Sequence, residues 1–177
     1  MKKILIHTCC ADCLLNSVNY LKKKKLIDNS SKIVSLFYNP NIHPRSEYLA
    51  RLKAVKKVIG EDIRLVVPDY KPKEHITAIK NLTRKDRRCS LCWDLRIKFL
   101  FNYAKENEFD VVTTTLLTSP YQNRKEILEI GKKYEKEYGI KFLKVGSEEN
   151  CKNVGFYKQN YCGCCFSLVE KMLMKDN

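Results

Sequence analysis

The sequence predicts an α/β protein with a doubly wound, mostly parallel sheet of five strands. Short runs rich in aliphatic and β-branched residues alternate with longer stretches whose apolar residues recur at three- and four-residue spacing. Turn-forming residues punctuate the changes, and no internal repeat or linker interrupts the alternation. Strands that alternate with helices pack best as a parallel sheet covered on both faces. At 177 residues the chain falls within the usual range of about 100–200 for one domain. Residues 1–177 are therefore read as one unit that ends in a Cys-rich C-terminal segment.

Taken in order, Ile4-Leu5-Ile6 reads as a buried strand ending at His7. Asp12 through Lys23 follows as a helix, with Leu14, Leu15, Val18 and Leu21 at helical spacing. The run from Ile33 to Tyr38 is a second strand, closed by the turn signal Asn39-Pro40-Asn41. A helix starting at Pro44 or Ser46 carries Leu49, Leu52, Val55 and Val58, and Gly60 stops it. Ile63 to Val67 is the third strand, broken at Pro68. A short helix over Lys73–Leu82 leads to a basic loop, and Leu91–Tyr103 is a helix with Cys92 in its first turn. Phe109–Thr115 is a β-branched strand. Ser119-Pro120, a good cap and first helical residue, opens a long helix to about Tyr138. Ile140–Val145 is the fifth strand and Phe166–Met174 the last helix.

Charge and cysteine use narrow the function. Lys and Arg outnumber Asp and Glu by 34 to 20, giving a net charge of +14. Lysine runs such as Lys22–Lys25 ordinarily make a solvated face, yet an excess of this size favours an acidic partner, nucleic acid foremost. Only Ile4-Leu5-Ile6 separates Lys3 from His7, short of the about 7 residues a secretory signal core needs. No run reaches the ~18 apolar residues that cross a bilayer, so no membrane partner is expected. A cytoplasmic, reducing location follows, where stable disulfides are rare.

Eight of the nine cysteines fall into three groups: Cys9, Cys10 and Cys13; Cys89 and Cys92; Cys162, Cys164 and Cys165. Thiols this close in sequence suit a metal better than a disulfide framework. The first group sits where a helix should begin, and free amides there favour anionic sulfur. Cys89-x-x-Cys92 has chelating spacing. Arg84, Lys85, Arg87 and Arg88 lie to one side and Arg96 one turn beyond, placed to offset thiolate charge or to meet phosphates. Gly163 suits a tight backbone approach or a turn. Cys165 reads as a small buried hydrophobe, and Cys151, with no spaced partner, as incidental. The remaining seven exceed the four thiolates of a [4Fe–4S] cluster. Two structural zinc sites would want eight ligands, so the arithmetic favours a cluster plus a separate metal, with Asp12 or Asp94 near enough to contribute.

In open α/β sheets the active crevice lies beyond the carboxyl ends of the strands. The loops bearing Cys9–Cys13, Asn39–Pro44 and Thr115–Ser119 all open there. His7 is read either as a ligand or supporting donor, or as a satisfied histidine at a strand end. Asn39, Asn41 and His43 form a loop stiffened by two prolines, fit to hold something or simply to turn. Ser119, Tyr121 and Gln122 could bind a base by stacking and amide hydrogen bonds.

Five motifs, in order and almost end to end, carry a resemblance. They are His7-x-Cys9-Cys10-Ala11-x-Cys13; Phe37-Tyr38-Asn39-Pro40-Asn41-Ile42-His43-Pro44-x-x-Glu47-Tyr48-x-x-Arg51; Arg88-Cys89-x-x-Cys92-x-x-x-Arg96; Thr115-Leu116-Leu117-x-Ser119-Pro120-Tyr121-Gln122; and Tyr157-x-Gln159-x-Tyr161-Cys162-Gly163-Cys164-x-x-Ser167. Together they resemble the epoxyqueuosine reductase family of the QueH type. The resemblance implies a fold of the adenine-nucleotide α-hydrolase-like (HUP) type, a [4Fe–4S] cluster with an additional iron ion beside it, and no cobalamin. It implies reduction of the epoxide of epoxyqueuosine at the wobble position of tRNA, in tRNAs that read Asp, Asn, His and Tyr codons, with electrons from an unidentified donor. Cys9, Cys10, Cys13, Asp12, Cys89, Cys92, Cys162 and Cys164 are then the candidate metal ligands. Asp12, Asp94, Tyr121 and Tyr161 are candidate proton donors. Arg84, Arg87, Arg88, Arg96, Asn39, Asn41, His43, Ser119, Tyr121 and Gln122 are candidate tRNA contacts. One stretch departs: an Asp-Phe-Arg segment is expected before the last motif, and here Phe142-Leu143-Lys144-Val145-Gly146-Ser147 stands. Asp12 also takes a place where Pro is common.

Two other readings compete with this one. A cluster-dependent tRNA thiolase on a related fold would need a phosphate-cradling Ser-Gly-Gly loop after the first strand, where this chain has Cys9-Cys10. A zinc-stabilised RNA-binding module accounts for charge and cysteines but leaves surplus thiols and stiff polar loops without purpose.

Overall fold

A computed structural model describes residues 2–28, 30–146, 157 and 160–174. Five strands, β1 (Lys3–His7), β2 (Lys32–Leu36), β3 (Ile63–Val66), β4 (Val111–Thr114) and β5 (Lys141–Phe142), form one sheet in the order β3-β2-β1-β4-β5. Every pairing is parallel; Ile6, for instance, faces Ser35 on one side and Thr113 on the other. The central strand is apolar because both of its faces are covered, and Ile4, Leu5 and Ile6 have no exposed surface.

Among the described residues six helices flank the sheet: α1 (Ala11–Lys23), α2 (Arg45–Val58), α3 (Pro72–Ile79), α4 (Lys85–Glu106), α5 (Arg124–Tyr138) and α6 (Cys165–Leu173). The chain runs from β1 towards β3 and then doubles back across to β4 and β5. Right-handed crossovers taken in opposite directions place their helices on opposite faces. Accordingly α1 packs against α2, while α4 packs against α3 and α5. The reversal falls between β1 and β4, so the loops leaving these two strands diverge and open a crevice. The first cysteine group lies in it.

Several boundaries differ from the sequence reading. α4 begins at Lys85, six residues earlier than expected, and absorbs the basic loop into its first turn. Asp86 favours a helix there by its position near the positive end of the dipole and pairs with Arg84 at 2.6 Å. Cys92 therefore sits in the third turn, not the first. α5 begins at Arg124, capped by the Asn123 side chain, which accepts from the Glu126 amide at 3.3 Å. Ser119-Pro120 is thus not the helix start. Thr115–Thr118 makes a separate 3-10 turn, where the Thr114 hydroxyl accepts from the Leu116 amide. β5 is only two residues long, although the Leu143 amide still bonds the Val112 carbonyl at 2.8 Å. Cys165 opens α6 half-buried rather than fully buried, and no residue of that helix is wholly covered. In the departing stretch, Phe142, Leu143 and Val145 are buried packing, and Ser147 lies outside the described residues.

Against β5, α5 approaches closely because Gly131 has no side chain. A β-carbon there would lie 2.2 Å from the Phe142 ring, which is itself buried beside Phe101. Gly131→Ala should therefore destabilise the protein by about 1–3 kcal/mol, the range for overpacking. Thermal denaturation measures it, and an unchanged midpoint would mean that the ring moves aside freely.

Candidate metal centre

At the end of β1 the His7 ring is enclosed. Its Nε2 lies 3.0 Å from the Tyr38 carbonyl, to which it donates, leaving Nδ1 to accept from the Thr114 hydroxyl at 2.8 Å. Burial, with the nearby Arg96 charge, lowers its pKa to about 4. The ring is neutral and both nitrogens are used: this is the satisfied strand-end histidine. Next to it the Cys9 amide donates to the Thr115 hydroxyl at 3.0 Å, and that hydroxyl in turn donates to Cys9 Sγ at 3.2 Å.

Cys10 then precedes α1 and Cys13 lies in its first turn. The three sulfurs lie within 4.8 Å of one another. A metal ion bonded to thiolates at about 2.3 Å needs its sulfurs no further apart than roughly twice that length, so this trio fits one ion. Electrostatics prepares it. Thiol hydrogen bonds from Cys10 and Cys13 hold Cys9 well below the ordinary thiol range. Hydrogen bonding with Cys13 first, and then with Cys9, pushes Cys10 up. Both carboxylate oxygens of Asp12 are buried, and Asp12 lines the same small pocket, of about 70 Å³, together with Arg51 and Arg96.

Four other thiols line a larger cavity of about 660 Å³. Cys89 and Cys92, three residues apart on α4, share one side of that helix. Cys162 and Cys164 reach the cavity from the loop before α6. Burial raises Cys92 to about 11 and also raises Cys89. Cys162 goes the other way, to about 5, chiefly because the Cys164 thiol donates to it. Four thiols spread around so large a space suit a polynuclear cluster, whose outer ligands stand further apart than those of a single ion.

The loop carrying Cys162 and Cys164 is pinned from β2 and α2. Arg51 and Glu47, both buried, pair at 2.6 Å. The Arg51 guanidinium also donates to the Cys162 carbonyl at 3.2 Å and the Tyr161 carbonyl at 3.4 Å. Gly163 has φ of 108°, and a β-carbon on it would lie 3.0 Å from that guanidinium, so glycine is required twice over. The His43 amide donates to the Gly163 carbonyl at 2.8 Å.

A shared wall divides the two cavities: Arg96, Pro120, Tyr121, Gln122, Tyr161 and Cys162 line both. Arg96 is only 2% exposed. Its Nε donates to the Cys92 carbonyl at 3.2 Å, and it forms no ion pair among the described residues. Gln122 is fixed by the Trp93 indole, which donates to it at 2.5 Å. Burial raises Tyr161 to about 12, so it keeps its proton.

Some sequence candidates stand elsewhere. Asp94 accepts from the Tyr134 hydroxyl at 2.9 Å and from Lys133 at 3.3 Å, and lines neither cavity. Asn39 and Asn41 are buried, with the Asn39 amide donating to the Thr8 carbonyl at 2.8 Å. Arg88 lies 4.6 Å above the Phe166 ring, paired with Glu170; Arg84 is paired with Asp86, and Arg87 is exposed. Ser119 lines the smaller pocket. Cys151 lies outside the described residues. Sequence reasoning missed His75, which lines the larger cavity while 1% exposed; a lone histidine on a short helix has no motif to announce it.

Known proteins resemble this chain over nearly its whole length. The family model described as epoxyqueuosine reductase QueH matches residues 4–170. A protein of that name from Thermotoga maritima is 35% identical, over 97% of this chain and 93% of its own length. Another, from Dehalococcoides mccartyi, is 31% identical over 96% and 94%. One from Helicobacter pylori is 35% identical over 93% of this chain, which spans about half of that longer protein (49%).

The thiol directions are testable by alkylation of the metal-free chain with iodoacetamide. Because Cys162 is depressed, its thiolate persists until the pH falls through about 5; its labelling rate should show a midpoint near there. Cys89 and Cys92 are raised and should label only above the ordinary thiol range. A Cys162 midpoint at an ordinary thiol value would contradict the pairing with Cys164.

Proposed function

Because this chain belongs to the QueH family of epoxyqueuosine reductases, we propose that it is a cytoplasmic oxidoreductase acting on tRNA. It converts the epoxide of epoxyqueuosine at the wobble position of Asp, Asn, His and Tyr tRNAs to the alkene of queuosine. The balance is two electrons and two protons taken up and one water released. The observation that carries the cofactor reading is the sorting of seven thiols into a close trio and a wide quartet across one wall. We assign a [4Fe–4S] cluster to Cys89, Cys92, Cys162 and Cys164. An additional iron falls to Cys9, Cys10 and Cys13, with Asp12 beside it; no cobalamin is invoked. Such centres supply single electrons and a Lewis acid.

The chain's own residues supply the rest. Arg96 has guanidinium N–H groups with no protein acceptor among the described residues, and it lines both cavities. It is placed to receive negative charge developing on the epoxide oxygen as the C–O bond breaks. Tyr161 holds a proton on the shared wall and is our candidate donor. Tyr121, 47% exposed at the rim, offers a ring for base stacking, and Gln122, pinned by Trp93, an amide edge. Arg87 and Arg84 at the start of α4 meet the anticodon phosphates. Apolar walls at Ile79, Trp93 and Phe166 exclude water around the reacting group.

The assignment is tested by anaerobic reconstitution with iron and sulfide, followed by incubation with a chemical reductant and epoxyqueuosine-containing tRNA. Cys164→Ser should lose acid-labile sulfide, whereas Cys13→Ser should keep sulfide and lose the additional iron. Turnover should fall in both by more than about 100-fold, beyond the 10–100-fold typical of outer-shell changes. Equal metal loss in both variants would overturn the partition. Zinc alone, with no conversion, would make the protein an RNA-binding module.

A further inference from the structure

His75 projects from α3 into the wall of the larger cavity, and its hydrogen bonds fix which nitrogen carries the proton. The Tyr70 hydroxyl donates to the Ile42 carbonyl at 2.7 Å. That leaves the Tyr70 oxygen as an acceptor for His43 Nδ1, 3.5 Å away, an arrangement that favours the His43 proton on Nδ1. His43 Nε2 is then bare and accepts from His75 Nδ1 at 3.4 Å. With its proton on Nδ1, His75 carries a lone pair on Nε2. That atom is buried and has no partner among the described residues.

An unmatched acceptor in the interior costs about 1–3 kcal/mol, and buried polar groups in native proteins nearly always find a partner. The ring does not escape by protonation: burial, Arg96 and His43 lower its pKa to about 3. His43, on the far side of the pair, does not line the cavity, whereas His75 does. Of the pair, His75 is thus the ring placed to meet a ligand in the cavity.

We propose that His75 is a substrate-positioning residue whose Nε2 accepts a hydrogen bond from a hydroxyl or amine donor of the modified base, with His43 and Tyr70 holding the required tautomer. This rests on the reductase reading above. The acceptor selects a substrate substituent that carries donors, and it orients that substituent beside Cys89, Cys92, Cys162 and Cys164. An unmodified guanine would not reach it.

The test uses the iron-loaded protein and two probes: tRNA bearing epoxyqueuosine, and the same tRNA with guanine at the wobble position. His75→Asn keeps a group at the Nδ1 position and removes the Nε2 acceptor; His75→Gln restores an acceptor near Nε2. His75→Asn should raise KM for the modified tRNA by about ten-fold, with iron content and guanine-tRNA affinity unchanged, and His75→Gln should recover most of the loss. Unchanged KM in His75→Asn, or equal losses in both variants, would overturn the proposal. Loss of iron in His75→Asn would overturn it too, by making the residue a ligand. If His75→Asn does not fold, Tyr70→Phe decides. It leaves the shape intact but frees the His43 tautomer, and should raise KM several-fold; no change there is equally fatal. Failure of the unmutated protein to convert the modified tRNA would instead sink the reductase reading, independently of His75.

Discussion

A guanidinium buried without a carboxylate is the constraint around which the site is arranged. Arg96 is almost fully enclosed and forms no ion pair among the described residues; its Nε donates to the Cys92 carbonyl, and it also bonds the Cys92 sulfur. An isolated cation in such surroundings is costly unless negative charge stands near it. Sulfurs stand among the groups able to supply it, with Asp12 in the same small pocket. Cys92 and Cys162 both feel the Arg96 charge as a lowering influence, which at Cys92 only partly offsets burial. Burial first, and the Arg96 charge second, keep His7 and His75 neutral. Arg51 makes a contrast: it has Glu47 as a partner, and its remaining donors organise backbone.

How much of this was legible in the sequence follows from the range of each interaction. The strands and helices could be placed by local signals because β-branched runs and helical spacing are local properties, and the crevice followed from where strands end. The three cysteine groups were legible because chelation imposes close spacing. Their division was not, since Cys89 and Cys162 are 73 positions apart in the chain and meet only when α4 and the C-terminal loop pack together. Helix starts were misread where a side chain overruled a propensity: Asn123 caps α5 although Ser119-Pro120 has the better signature. His75 was invisible because its significance lies in a tautomer set by Tyr70 and His43, a chain of contacts without sequence periodicity.

The loop after β2 shows how a correct local signal can point to an unexpected partner. Its prolines and polar side chains suggested a rigid element built to hold something. Asn39 holds the Thr8 carbonyl, next to Cys9. The His43 amide holds the Gly163 carbonyl, between Cys162 and Cys164, and the His43 carbonyl accepts from the Tyr161 hydroxyl at 3.3 Å. One stiff loop therefore braces a thiol group on either side of the wall. Two thiol groups fixed to the same brace cannot drift apart independently, so their separation is held by the loop and its hydrogen bonds. For a reaction that must bring electrons and charge stabilisation to one C–O bond, a fixed separation is what a preorganised site requires. The rigidity read from Asn39-Pro40-Asn41-Ile42-His43-Pro44 thereby has a physical purpose even before any RNA is bound.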